Sequence, residues 1–324
     1  MKSFLSGVGS YVPEKVLTNF DLEKMVQTSD EWIRERTGIR ERRIAEAHVA
    51  TSDMSVIAAK RALESAQITP KEVEAIIVAT ATPDMPFPST ACLVQTKINA
   101  RHVISFDLEA GCSGFVYALS VADSLIKNGI NNILVIGAET LSKITDYTDR
   151  GTCVLLADGA GAVVLKNKNQ GGEILSWYLA ANGADGKLLH QPAGGSKMPA
   201  THDTVSKGLH YLKMKGNEVF KLAVRAMNEA AIETLKRAHL TADKVDLLIP
   251  HQANIRIIEA TAKRLKLPME KVFVNIDKYG NTSSASIPIA LDEALQQGRI
   301  KKGDLILFVA FGAGFTWGGV LVKW

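Results

Sequence analysis

Two kinds of apolar run alternate along this chain. Residues 51–68, TSDMSVIAAKRALESAQI, repeat apolar positions at helical spacing, and 69–80, TPKEVEAIIVAT, pass through a turn into a short unbroken apolar stretch. The same order returns later: 217–240, NEVFKLAVRAMNEAAIETLKRAHL, predicts a helix, and 241–252, TADKVDLLIPHQ, predicts a turn and a strand. HVISFDLEAGCSGF (102–115) is matched by KVFVNIDKYGNTSSA (271–285), each a strand leading through a glycine turn into a helix. NNILVIGAET (131–140) is matched by GDLILFVAFGAG (303–314). Matched segments lie about 170 residues apart, too far for a solenoid repeat, so the pattern predicts duplication of a whole α/β unit.

The strand runs IIV, LLI and ILVI lack period-two alternation, as expected of strands buried on both faces. FVYALSVADSLIKNG, after Cys112, is apolar nearly all round and predicts a central buried helix ending at Gly129. Two similar α/β halves sharing a five-layer core follow, joined near 167–173, with 185–216 as a long surface excursion. From Leu305 to Val322 the chain carries no charge, but Gly312, Gly314, Gly318 and Gly319 divide the stretch, which predicts a buried β-hairpin rather than a membrane helix.

Composition narrows the partners. With 324 residues, 46% hydrophobic and 22% charged, the chain reads as globular, and a net charge of +4 is too small to argue for nucleic acid. The N-terminus has no signal-peptide pattern. The three cysteines, Cys92, Cys112 and Cys153, build no disulfide framework and no CxxC zinc motif, which suits a reducing, cytoplasmic compartment.

In open α/β sheets, ligands bind beyond the carboxyl ends of the strands. That rule brings Cys112, His251, Asn281 and the 311–314 turn to one place from both halves. Cys112 follows a strand and opens a helix, where the dipole and free N–H groups favour thiolate, so it is the candidate nucleophile. Cys92, in a helical pattern, and Cys153, in the run GTCVLL that reads as a strand, are ordinary buried thiols on this reading. A metal site is disfavoured, because Asn is a poor transition-metal ligand and no carboxylate pair accompanies it. Cys-His-Asn also suits a papain-like hydrolase, but the duplicated α/β pattern does not. GVG at 7–9 lacks the third glycine of a dinucleotide fingerprint, DGAGAVVL (158–165) lies between strand runs, and no P-loop occurs.

At these residues the chain resembles the β-ketoacyl-acyl-carrier-protein synthase III family, the initiating condensing enzymes of dissociated bacterial fatty-acid synthesis. The likeness runs through TSDEWIRERTGIRERRI (28–44), FPSTAC (87–92), GCSGFVYALSVAD (111–123) and TDRGTCVLLADGAGAVVL (148–165). It continues through GNEVFKLAV (216–224), PHQANIRII (250–258), YGNTSSASIP (279–288) and FGAGFTWG (311–318). Without it, 28–43 reads as a solvated charged helix. EAGCSGF departs from the common pattern, with Glu109 and Gly111 in place of small alanines.

The resemblance implies an α/β thiolase fold, five-layered αβαβα, with an N-terminal half (1–170) carrying the nucleophile and a C-terminal half (171–324) carrying His and Asn. It implies that Cys112 accepts an acyl group from acyl-CoA, acetyl or another short primer, and that His251 and Asn281 drive decarboxylation of malonyl-acyl carrier protein. The backbone N–H groups of Cys112 and Gly312 would form the oxyanion hole. Trp32, Arg36, Thr37, Arg150, Asn217, Phe220, Ala253 and Asn254 would line the CoA channel, with Trp32 and Arg150 sandwiching adenine and Arg36 meeting phosphate. Lys221, Arg256, Lys263 and Arg264 would form a basic patch for the acidic carrier protein. Leu141 and Phe87 would shape the acyl pocket, Phe87 by crossing to the partner of a homodimer. No metal or redox cofactor, nucleic acid or membrane is implied. The alternatives are a same-fold condensing enzyme of polyketide, alkylquinolone or olefin synthesis, a non-catalytic thiolase-fold binding protein and, more distantly, a hydrolase.

Overall fold

Nine strands form the frame of the computed structural model, which describes residues 1–168 and 170–324. They are β1 (Phe4–Tyr11), β2 (Ala75–Ala79), β3 (Ile104–Leu108), β4 (Ile133–Thr140), β5 (Asp158–Lys166), β6 (Gly172–Ala181), β7 (Leu247–Pro250), β8 (Leu305–Gly312) and β9 (Thr316–Lys323). Their order across the sheet is β7-β8-β9-β6-β1-β5-β4-β2-β3.

That order contains its own repeat. In the first half β2 pairs in parallel with β3 and β4, and β4, β5 and β1 follow antiparallel. In the second half β7 pairs in parallel with β8, β9 and β6 follow antiparallel, and a parallel bridge from Leu248 to Val272 stands where β3 stands in the first. The halves join where Phe4 and Leu5 of β1 pair with Glu173 and Gly172 of β6. Residue 169, inside the expected 167–173 junction, lies outside the described residues.

The helices complete five layers: α1 (Asp30–Thr37), α2 (Thr51–Ser65), α3 (Thr90–Lys97), α4 (Gly114–Lys127), α5 (Gly216–Arg237), α6 (Ile255–Leu265) and α7 (Ser286–Gln296). Phe115, Leu119 and Ile126 of α4 and Ile287 and Leu291 of α7 are sandwiched between the two half-sheets, which accounts for their all-round apolar character. Ala58, Ala62 and Val94 of α2 and α3 cover one outer face, and Met227, Leu235 and Ile258 of α5 and α6 cover the other. Helix α4 stops at Asn128, where Gly129 adopts φ 98° and the Ile130 N–H returns to Leu125, a glycine C-terminal stop.

The uncharged C-terminal stretch is the antiparallel β8–β9 hairpin, with Leu305 opposite Lys323 and Gly312 opposite Thr316. Among the described residues no helix is long and apolar enough to cross a membrane.

Four local expectations need correction. Residues 158–165 do not lie between strands; they form most of β5, buried throughout. Cys153 is not in a strand but ends a short helix, Arg150–Cys153, started by the Asp149 carboxylate accepting the Gly151 N–H. Cys92 is in α3 as expected, yet it is exposed. The 28–43 run is helical only over Asp30–Thr37, because Gly38 at φ 80° ends the helix and 41–43 form a short strand with Arg42 wholly buried.

Candidate active site

Strand ends gather the chemistry. Cys112 follows β3 in a single 3₁₀ turn, Gly111–Ser113, which opens α4; His251 follows the last residue of β7. Asn281 sits after the short helix Ile276–Tyr279, and its backbone pairs with the chain before β5: its N–H donates to the Leu155 carbonyl and its own carbonyl accepts the Ala157 N–H, both at 2.9 Å. All three line one cavity of about 430 Å³. Two glycines permit this convergence. Gly111 holds φ 50°, and a Cβ there would meet the Ala313 backbone; a Cβ on Gly137 of β4 would collide with the Ser284 carbonyl.

Hydrogen bonds fix what each group offers. Asn281 Oδ1 accepts the Ser283 N–H at 2.9 Å, which leaves the Asn281 amide NH₂ as the donor for a ligand. His251 is 2% exposed, and its Nδ1 lies 2.7 Å from Ser286 Oγ. Ser286 Oγ also accepts the Gln252 N–H at 3.3 Å, and among the described residues His251 Nδ1 is the one acceptor within reach of its hydroxyl proton. This network assigns the proton of the ring to Nε2. Burial pushes the imidazole down to about 3, so it is neutral across the working pH range.

The state of Cys112 differs from the expectation of a ready thiolate. The residue does stand at the start of α4, but burial raises its thiol to about 12, a side-chain bond from Ser283 opposes that rise, and Glu139 and Glu109 add to it. Desolvation is the largest of these effects.

A smaller recess of about 80 Å³ adjoins Cys112 and Asn281, lined by Leu141, Ile144, Leu156, Leu212 and Met214. Leu189, Leu212 and Met214 show that the 185–216 excursion does not stay on the surface but folds back over the cavity. Phe87 is 85% exposed and does not reach the recess of its own chain.

The other expected positions divide. Trp32, Arg36, Thr37, Asn217, Phe220, Ala253, Asn254 and Arg256 line the larger cavity. Arg150 is not on that wall, but its guanidinium lies 5.2 Å from the centre of the Trp32 ring, and Arg36 lies 5.6 Å from it. Arg256 lies over the Phe220 ring at 5.8 Å, and Lys221, Lys263 and Arg264 are exposed away from the wall. Gly312 is held in the β8–β9 ladder opposite Thr316, and the residue that reaches the recess is Ala313, one position on. Among the described residues, neither the Cys112 nor the Ala313 amide donates to a protein acceptor.

Sequence reasoning missed Ala313, Ser286, Ser283 and Glu139. The signal for Glu139 was present: a lone carboxylate ends the apolar run ILVIGA, and it is wholly buried.

A family model described as 3-Oxoacyl-[acyl-carrier-protein (ACP)] synthase III matches residues 106–183, and one described as its C terminal matches 235–324. The chain is 60% identical over 319 residues to the beta-ketoacyl-[acyl-carrier-protein] synthase III of Caldanaerobacter subterraneus subsp. tengcongensis, covering 98% of this chain and 96% of that protein. The chain belongs to the β-ketoacyl-[acyl-carrier-protein] synthase III family. The synthase III of Clostridioides difficile strain 630 is 52% identical, over 100% of this chain and 98% of its own length. The crystal structure of 3-oxoacyl-[acyl-carrier-protein] synthase III from Aquifex aeolicus VF5 superposes with a TM-score of 0.92 at 52% identity, covering 100% of both chains. The synthase III assignment carries the thiolase fold with it, so the five layers are those of a condensing acyltransferase that initiates fatty-acid synthesis.

Proposed function

We propose that this enzyme moves a short acyl group from acyl-CoA to Cys112 and then condenses it with malonyl-acyl carrier protein, giving 3-ketoacyl-carrier protein, CO2 and CoA. The observation that carries this is the convergence of a thiol, a neutral imidazole Nε2–H and an amide NH₂ in one cavity.

In the first half-reaction the Cys112 sulfur attacks the thioester carbonyl and CoA leaves. The Cys112 and Ala313 amides are the proposed donors to the tetrahedral oxyanion, Ala313 replacing Gly312 because it is the residue at the recess. In the second, loss of CO2 leaves negative charge on the malonyl thioester oxygen. His251 Nε2–H and the Asn281 amide donate to that oxygen, and the enolate carbon attacks the acyl-Cys112 carbonyl. Both donors are uncharged and fixed, so neither has to be protonated first.

The recess of about 80 Å³ supports a primer as small as acetyl. The CoA nucleotide would meet Trp32 with Arg150 and Arg36, and the pantetheine would pass Thr37, Asn217, Phe220, Ala253 and Asn254. The acidic carrier would dock on Arg256, with Lys221, Lys263 and Arg264 supplying longer-range attraction. The proposed enzyme is a cytoplasmic homodimer in which Phe87 closes the partner's recess, and each chain divides into halves 1–170 and 171–324. It is proposed to need no cofactor.

The test is intact-protein mass after incubation with a panel of acyl-CoAs, for wild type and Cys112→Ala, followed by malonyl-acyl carrier protein. A mass gain confined to wild type and discharged as a 3-ketoacyl-carrier product is the expected result. No adduct with any primer would remove Cys112 from its role, and an adduct that the malonyl substrate cannot discharge would point to a different condensation.

A further inference from the structure

The two amides proposed for the oxyanion hole come from different halves of the chain, Cys112 from the turn that opens α4 and Ala313 from the turn between β8 and β9. Both must reach the same oxygen, so their spacing has to be fixed. Among the described residues, the side-chain hydrogen bonds between these two turns run through one pair of hydroxyls, Ser113 Oγ and Thr316 Oγ1, 2.6 Å apart. We infer that Thr316 is a positioning residue, whose hydroxyl holds the Cys112 and Ala313 amides at the spacing that binds the oxyanion of acyl transfer. This rests on the acyl-CoA reading above and deepens it.

Thr316 opens β9 and stands opposite Gly312 in the ladder, which fixes it to the Ala313 turn. Its Oγ1 lies 2.7 Å from the Ala110 carbonyl oxygen, two residues before Cys112, and 3.1 Å from the Ala313 carbonyl oxygen. Ser113 Oγ, on a wholly buried residue, is 2.8 Å from the same Ala110 oxygen. Two hydroxyl protons serve these contacts. Either Ser113 donates to Thr316 and Thr316 donates to a turn carbonyl, or Ser113 donates to Ala110 and Thr316 donates to Ser113. In both arrangements the Thr316 hydroxyl is bonded to the turn that carries Cys112. The backbones also touch: a Cβ on Gly111 would lie 2.7 Å from the Ala313 nitrogen, and one on Gly312 would collide with the Cys112 nitrogen. Contact stops the turns from approaching further, and the hydroxyl bonds stop them from parting. Beyond Ala313 the chain is anchored again at Phe315, whose N–H and carbonyl both pair with Asn182 at 2.8 Å.

A strand start asks only for a β-branched side chain at this position, and valine would supply the same shape. What threonine adds is an oxygen, and that oxygen bonds only to the two turns. Thr316 lines neither the larger cavity nor the recess, so it acts through the amides and not on the substrate. The oxyanion position serves twice, in acyl transfer and again when the enolate attacks the acyl-Cys112 carbonyl. Decarboxylation depends instead on His251 and Asn281, which Thr316 does not touch.

The test measures single-turnover acylation by acetyl-CoA over a range of concentrations in wild type, Thr316→Val, Thr316→Ala and Thr316→Ser. Two controls need no oxyanion hole: alkylation of Cys112 by iodoacetamide, read from the mass of its peptide, and decarboxylation of malonyl-acyl carrier protein. Thr316→Val keeps the shape without the hydroxyl, Thr316→Ala removes it without adding an apolar group, and Thr316→Ser keeps it. A misplacement of about 1 Å costs about 10²-fold in rate. The maximal acylation rate should therefore fall about ten- to a hundredfold in the valine and alanine variants, with the half-saturating acetyl-CoA concentration within about threefold of wild type. Thr316→Ser should recover the rate to within about threefold, and both controls should stay within about threefold in every variant. Wild-type acylation in the valine and alanine variants would overturn the inference, as would a serine variant as slow as valine. Equal losses in acylation and in the controls would mean a structural role only and would overturn it too. Wild type that takes no acyl group at all would overturn the acyl-CoA reading, and the role of Thr316 with it.

Discussion

Ser286 Oγ stands 2.7 Å from His251 Nδ1 and opens helix α7, so a residue from the second half's buried helix decides which nitrogen of the imidazole faces the substrate. Replacing it with alanine frees the ring to place its proton on Nδ1 and turn an acceptor toward the enolate oxygen. Ser286→Ala should slow decarboxylation about tenfold or more while acylation of Cys112 stays near wild type, measured as CO2 release against adduct formation.

Removing a donor should separate the two half-reactions. His251→Ala and Asn281→Ala each lose a hydrogen bond to developing negative charge, a loss of about 10²–10³ in rate. Both should still form the acyl adduct. Asn281→Asp should be worse than Asn281→Ala in condensation, because a carboxylate repels the enolate instead of binding it. Single-turnover assays with pre-acylated enzyme would show the order.

The buried imidazole also has a signature in stability. Unfolded His251 titrates near 6.5 and the folded one near about 3. Between those values the unfolded chain binds a proton that the folded chain does not, so this contribution is complete above 6.5 and is lost as pH falls toward 3. Melting temperature should fall over that window, and the fall should be shallower in His251→Asn. Neither should the condensation rate show a limb near pH 6.5 from this group.

Trp32 and Arg150 should act on CoA substrates only. The guanidinium 5.2 Å from the ring centre suits stacking on a planar base. Arg150→Ala should raise the KM for acyl-CoA about five- to thirty-fold, corresponding to about 1–2 kcal/mol, with kcat little changed. Carrier-linked malonyl substrate, which lacks the nucleotide, should bind as before; a matching loss there would count against the nucleotide role.

Leu141 faces a recess of about 80 Å³, so chain length should respond to its size. Leu141→Ala should extend the accepted primers by a few carbons and slow transfer of acetyl, read as relative adduct formation across a primer panel.

Much of this molecule was legible in its residues. The matched helix–turn–strand segments, such as 51–80 with 217–252, set the repeated strand order, because each segment's local pattern demands the same burial wherever it occurs. Cys112, His251 and Asn281 could be found because strand ends collect ligands in this architecture. Short punctuations carry weak signals: GTCVLL reads as a strand although Asp149 caps a helical turn over Arg150–Cys153, and the glycines of DGAGAVVL hide β5.

What only the tertiary structure decided is electrostatic and long-range. The protonation of Cys112 depends on burial and on Glu139, which a separate strand, β4, brings to it. The donor face of His251 depends on Ser286, and the orientation of Asn281 on the Ser283 backbone. Ala313 rather than Gly312 meets the recess because the ladder with β9 ends at Gly312. The sequence by itself specified which segments become strands and helices and which reactive residues lie at their ends. Proton positions and donor directions follow from the dielectric and neighbours that packing creates, and no local pattern encodes those.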